Sequence, residues 1–106
     1  MENIFYLVNL ETENSQWSLP MKADNLEQAF ALTKKFTSKP GNEDLLKLYS
    51  LYKQATEGDN NEERPSGFDF VAAAKYNAWA NLKGVSRDEA TQAYVDLVNT
   101  LSEKHI

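Results

Sequence analysis

Two tyrosines and a lysine share one stripe of a single run, Leu48-Tyr49-Ser50-Leu51-Tyr52-Lys53-Gln54-Ala55-Thr56-Glu57-Gly58-Asp59. Tyr49, Tyr52 and Lys53 stand at i, i+3 and i+4, so on a helix their side chains are neighbours. Phenol rings stack on flat aromatic groups, their hydroxyls hydrogen bond, and an ammonium pairs with phosphate. The run therefore reads as a seat for an aromatic, anionic ligand. Spacing alone leaves a plainer alternative open: helical tyrosines commonly lie half-buried in a core, with a solvated lysine beside them.

Little else in the chain offers chemistry. There is no cysteine, which excludes disulfides and thiolate metal sites and agrees with a reducing compartment. The one histidine, His105, lies next to the C-terminus, where chains fray, and is expected to be inert. A histidine-based zinc site or catalytic triad has no second member to draw on. Glu62 and Glu63 fall in a polar stretch and read as solvated charge. No nucleophile–base pair and no phosphate-cradling glycine loop is present, so no enzyme activity, cofactor or metal is expected.

Charge narrows the partners. The net charge of -5 argues against nucleic acid. It is unevenly placed, with Glu2, Glu11, Glu13 and Asp24 opposed only by Lys22 in the first 24 residues. A cationic face needs Lys34, Lys39, Lys53 and Lys75 to converge from separate segments. No stretch approaches the ~20 apolar residues of a membrane span. Ile4 to Val8 is too short for a secretory core, and Glu2 is the wrong charge ahead of it. The expectation is a cytoplasmic protein without stable membrane insertion.

A chain of 106 residues forms one domain, and four helices can be read to position these groups. The first is expected to start at Asp24 as cap, with Glu27 three residues on, and to end by Pro40-Gly41. The second starts near Asn42, with Glu43 and Asp44 suiting the helix dipole, and stops at Gly58. A polar connection from Asp59 to Gly67 follows, long enough to let the flanking helices run parallel. The third covers about Asp69 to Leu82, with Phe70, Ala74, Ala78 and Leu82 at four-residue spacing, and Gly84 ends it. The fourth opens at Ser86 with Glu89, an S-x-x-E capping box. Ala90, Ala93, Tyr94, Leu97, Val98 and Leu101 then make the cleanest amphipathic stripe in the chain. Burying these stripes against each other predicts an all-α bundle.

The run L-Y-x-x-Y-K-Q-A-T-x-G-D, continued by Asn60-Asn61-Glu62-Glu63-Arg64-Pro65, resembles the core motif of the acyl-CoA-binding proteins. Lys39-Pro40 before it, and Phe70, Ala74-Lys75-Tyr76-Asn77-Ala78-Trp79, Leu82-Lys83-Gly84 and Tyr94 after it, match in the same order. The resemblance covers about three-quarters of the chain, from Leu26 onward. It implies a four-helix up-down-down-up bundle over 24–106 and non-catalytic binding and transport of medium- and long-chain acyl-CoA esters.

The resemblance also implies roles. Tyr49 would lie against adenine. Lys53, Lys75 and the Tyr52 hydroxyl would hold the ribose 3′-phosphate. Tyr94 would contact the nucleotide, and Lys34, Ser50 and Leu51 complete the implied contacts. Ala29, Phe30, Leu45 and Leu46 are candidates for an apolar groove made by the first three helices. The chain departs from the pattern at Tyr76, where the family usually has tryptophan, and at Val71 and Ala73, where it is often basic. Phe30 stands where a small alanine is common, which puts the acyl preference in question. Residues 1–23 lie outside the resemblance. Ile4-Phe5-Tyr6-Leu7-Val8-Asn9-Leu10 is strand-like, and Trp17-Ser18-Leu19 could return to pair with it. An isolated hairpin is marginal in water, so this apolar arm is expected to dock on the bundle or to make a homodimer contact. An alternative function follows from it: a bundle that serves as a protein-interaction module through the arm, with weak or lost acyl-CoA binding.

Overall fold

The computed structural model describes residues 22–106, and among these the chain is all-α. The expected N-terminal hairpin and its dimer contact lie outside the described residues. Four helices follow in order: α1 Leu26–Thr33, α2 Asn42–Glu57, α3 Phe70–Ala80 and α4 Arg87–His105.

The helix ends show how local chemistry chose the boundaries. Ser86 and Glu89 form the full reciprocal capping box at the start of α4. Asp69 caps α3 by accepting from the Ala72 N–H. At α1 the cap is Asn25, not the expected Asp24: the Asn25 Oδ1 accepts from the Gln28 N–H, and the Gln28 side chain reaches back to the Asp24 N–H. The backbone of Ala23 is the reason for the one-residue shift. Its N–H and C=O both bond the Asn99 side chain on α4, at 2.8 and 2.9 Å, which holds residue 23 outside the helix. Ala23 is itself buried in the core. α2 begins at Asn42 with Gly41 as a bare backbone cap, so Asn42 is the first helical residue and not the cap. α1 stops at Thr33, well ahead of Pro40, and Phe36 beyond it packs onto the core.

α4 is the hub. Tyr94, Val95, Val98 and Leu101 meet Ala29 and Leu32 of α1 on one side and Leu48 of α2 on the other. α4 packs on α1 and on α2, and α2 packs on α3. The C-terminal end of α2 lies at the start of α4, where Gln54 meets Val85. The segment leading into α2 lies at the end of α4, where Thr37 and Ser38 donate to the His105 carbonyl. α2 and α4 are therefore antiparallel. α2 and α3 run parallel, their first turns lining one cleft and their last turns joined through Trp79. His105 is not frayed as expected. Its ring stacks at 5.9 Å from Phe36, and its Nδ1 lies 2.8 Å from the Ser38 hydroxyl.

α3 contributes nothing to the α1–α2–α4 core, and Trp79 is its one buried residue. A buried polar node pins its C-terminal end. Gln54 is wholly buried. Its Nε2 donates to the Asp59 Oδ1 at 2.9 Å and to the Val85 carbonyl at 2.8 Å. Its Oε1 accepts from the Trp79 Nε1 at 3.1 Å, and the same N–H donates to the Gly58 carbonyl at 2.8 Å. Gly58 makes the turn out of α2 at φ 79, and Gly84 leaves α3 at φ 90, a region that glycine reaches without strain. The Asp59 carboxylate also accepts from the Gly84 N–H at 3.0 Å. That bond, then the Gln54 amide, holds the Asp59 carboxyl below the usual carboxylate range. The sign follows from linkage: this stabilisation is present above the ordinary carboxylate pKa and is lost as pH falls through the lowered one.

A buried amide that loses its partners leaves them desolvated and unpaired. Gln54→Leu is expected to cost about 2–4 kcal/mol, a fall in Tm on the order of 10–20 °C. Thermal and urea unfolding read the loss. Hydrogen exchange should quicken in α3 before it does in α4, because α4 is also held by the core cluster and α3 has no residue in it.

Candidate functional site

α2 and α3 meet at the node and part towards their N-terminal ends. Between those ends lies an apolar cleft of about 390 Å³. Leu45 and Leu46 form the α2 wall, and Phe70, Val71 and Ala74 form the α3 wall. Tyr49 and Lys75 close one end. The Lys75 Nζ stands 5.4 Å from the centre of the Tyr49 ring, so a cation from α3 covers an aromatic face from α2.

One turn further along α2, the Lys53 Nζ lies 4.8 Å from the centre of the Trp79 ring. It also donates to the Glu57 carboxylate in an i,i+4 ion pair. This hydrogen bond is the main reason the Lys53 pKa is raised. Desolvation opposes it, while Glu57, Tyr49 and Glu62 add attraction to the charge. Lys53 is a held cation, and the N–H donors that Glu57 does not take are open to an incoming anion.

A second aromatic cluster reaches from α2 to α1. The Tyr52 ring lies 5.4 Å from Tyr94 and 5.0 Å from Phe30. The Lys34 Nζ sits 4.8 Å over Phe30. Tyr94 is buried, and burial pushes its phenol pKa up to about 12; the nearby Tyr52 phenol adds to the rise, and a hydrogen bond with Thr33 works against it. Tyr94 is thus a neutral hydroxyl at any physiological pH. Phe30 is exposed, with its ring against that of Tyr52.

The expected site residues divide accordingly. Tyr49 and Lys75 come together at the cleft, with Lys53 beside them on α2. Tyr52, Tyr94, Phe30 and Lys34 form the neighbouring cluster. Leu45 and Leu46 are cleft wall. Ser50, Leu51 and Ala29 are not on this surface. Ser50 is buried, its hydroxyl donating to the Lys47 carbonyl. Ala29 has no exposed surface and faces α4, and Leu51 packs on the core. The apolar cleft itself lies between α2 and α3, while α1 packs on α4 and reaches α2 through the Phe30–Tyr52 ring contact.

Phe70, Val71 and Ala74 are walls that sequence reading placed elsewhere. Four-residue spacing pointed to core, yet Phe70 is 78% exposed. Glu57 as the partner of Lys53 was readable from i,i+4 spacing. Arg64, 5.1 Å over the Tyr76 ring, ties the long connection to α3. Among the described residues no group of three or more His, Cys, Asp or Glu could hold a metal ion.

Comparison with known proteins bears on the same residues. Residues 23–98 match the family model described as Acyl CoA binding protein. The chain is 48% identical over 79 residues to the acyl-CoA-binding protein of Dictyostelium discoideum, covering 74% of this chain and 94% of that one. It is 47% identical over 78 residues to enoyl-CoA delta isomerase 2 of Rattus norvegicus, covering 74% of this chain but only 20% of the isomerase. The crystal structure of acyl-CoA-binding protein 2 from Oryza sativa superposes with a TM-score of 0.71 at 37% identity, covering 74% of this chain and 88% of that one.

The buried phenol offers a check on the geometry. In an alkaline absorbance titration Tyr94 should be the last tyrosine of the described bundle to ionise, close to pH 12. Because its folded pKa is raised, stability should fall as pH rises from about 10 towards that value. Tyr94→Phe should remove the late step and flatten the decline.

Proposed function

The chain belongs to the acyl-CoA-binding protein family, and on that premise we propose that it is a non-catalytic carrier of medium- and long-chain acyl-CoA esters. The observation that carries this reading is Lys75 over Tyr49 at one end of an apolar cleft. Coenzyme A esters join a flat base and a cluster of phosphates to a flexible apolar tail. A cation beside an aromatic face, continuous with an apolar cleft, is complementary to that combination.

In this reading the adenine stacks on Tyr49. Lys75 and Lys53 take the 3′-phosphate, with the Tyr52 hydroxyl as a further donor. Lys53 offers the phosphate the N–H donors that Glu57 does not take. Lys34 and Tyr94 contact the nucleotide from the side of α1 and α4. The acyl chain lies between Leu45 and Leu46 on one side and Phe70, Val71 and Ala74 on the other. Val71 here continues an apolar wall where a cation would have interrupted it. Each methylene buried adds at most about 0.8 kcal/mol, less the cost of ordering the chain.

The similarity to the isomerase spans a fifth of that protein. The residues around the cleft hold, stack and neutralise, and none pairs a base with a nucleophile. The chemistry of this site is therefore binding.

Isothermal titration with palmitoyl-CoA tests the reading. Saturable binding at micromolar ligand is expected, and its absence would contradict the carrier function. Charge-assisted phosphate contacts contribute roughly 1.5–3 kcal/mol each. Lys53→Ala and Lys75→Ala should each weaken binding about tenfold to a hundredfold. The loss should be much smaller for the 3′-dephospho ligand; equal losses on both ligands would remove the phosphate assignment.

A further inference from the structure

Three large apolar side chains stand in water at the entrance to α3. Phe68 is 95% exposed, Phe70 78% and Val71 67%. The chain has an ordinary use for an apolar residue at the position of Phe68, immediately before a helix cap. There it normally packs against the fourth helical residue and fixes the entry angle of the chain. With Asp69 as cap that residue is Ala73, and the exposure of Phe68 means that the contact is not made. Among the described residues nothing else covers it.

Phe70 and Val71 belong to two surfaces at once. They are exposed, and they are also a wall of the α2–α3 cleft. The outer apolar edge and the inner apolar cleft are one continuous surface. We propose that the Phe68, Phe70 and Val71 edge seats the protein on the surface of an uncharged lipid bilayer, with the cleft opening towards the lipid. The proposal rests on the acyl-CoA reading for its purpose: an amphiphilic ester could then pass from bilayer to cleft without exposing its tail to water.

Area and charge select this occupant. Three such side chains offer roughly 400 Å², while a stable protein interface needs about 800 Å² from each partner. Adsorption to a bilayer has no such minimum: its strength scales with the apolar area inserted, and a small edge gives weak, reversible binding. The Asp69 carboxylate is turned onto the backbone of Ala72 and does not crown the edge. The net charge of -5 disfavours an anionic membrane, so the contact is apolar and prefers zwitterionic lipid.

Flotation of the full chain with phosphatidylcholine vesicles is the test, run on the wild type, Phe68→Ser and Phe68→Trp. Phe68 lies outside the cleft, so palmitoyl-CoA titration in vesicle-free solution should match wild type for both variants. The expected result is vesicle binding by the wild type, weakened about tenfold by serine, retained by tryptophan and reduced when anionic lipid is added. No vesicle binding by the wild type overturns the proposal. So does binding that Phe68→Ser leaves unchanged, which would assign it to another part of the chain such as residues 1–21. A vesicle-independent dimer that Phe68→Ser dissolves also overturns it, in favour of a second copy. The vesicle-free titration keeps the two readings separate: its failure removes the carrier function, whereas flotation decides the surface.

Discussion

One buried amide determines how α3 is held. Gln54 lies where α2, α3 and α4 converge, and both of its N–H donors and its oxygen are engaged. Its partners are the turn out of α2, the turn into α4 and the indole of α3. Apolar packing alone does not fix these three elements relative to one another, because packing is tolerant of small rotations and hydrogen bonds are not. The node sets the rotation of α3 about its axis. That rotation brings Lys75 over Tyr49 and turns Phe70, Val71 and Ala74 towards Leu45 and Leu46.

Attachment at one end also explains why a cleft exists. α1, α2 and α4 share a continuous core, and α3 is fastened beside it through Trp79. Ala74, the small residue it presents to the cleft, cannot fill the space against α2 at the open end. Apolar surface remains there that a well-packed domain would have buried. The same economy of contacts leaves the first turn of α3 presenting aromatic side chains to solvent. Apolar cleft and exposed edge are thus two results of one cause. Tyr52 carries a separate aromatic cluster, its ring between those of Phe30 and Tyr94.

Much of this was legible in the sequence where a single local rule decides. Ser86 with Glu89, the stop at Gly58 and the parallel course of α2 and α3 after a long connection are of this kind. Elsewhere a distant partner decides. Asp24 and Asn25 are adjacent and both suited to cap; Asn99, far along the chain, selects Asn25 by holding Ala23. His105 is fastened to the loop before α2, which no terminal position announces. Phe70 repeats at core spacing but lies where α3 has parted from α2, and it stays exposed. Of the candidate site, the residue types and their helices were readable, while the split into a cleft and a separate aromatic cluster needed three dimensions.

The central claim is that the ligand lies between α2 and α3, with its charged head at Tyr49 and Lys75. Backbone amide shifts recorded by NMR during titration with palmitoyl-CoA test it most directly. The account predicts the largest shifts at Leu45, Leu46, Tyr49, Lys53, Phe70, Val71, Ala74 and Lys75, with smaller ones at Phe30 and Lys34. Shifts concentrated on the outer face of α1, around Gln28, Ala31 and Lys35, with the α2–α3 cleft unchanged, would contradict it.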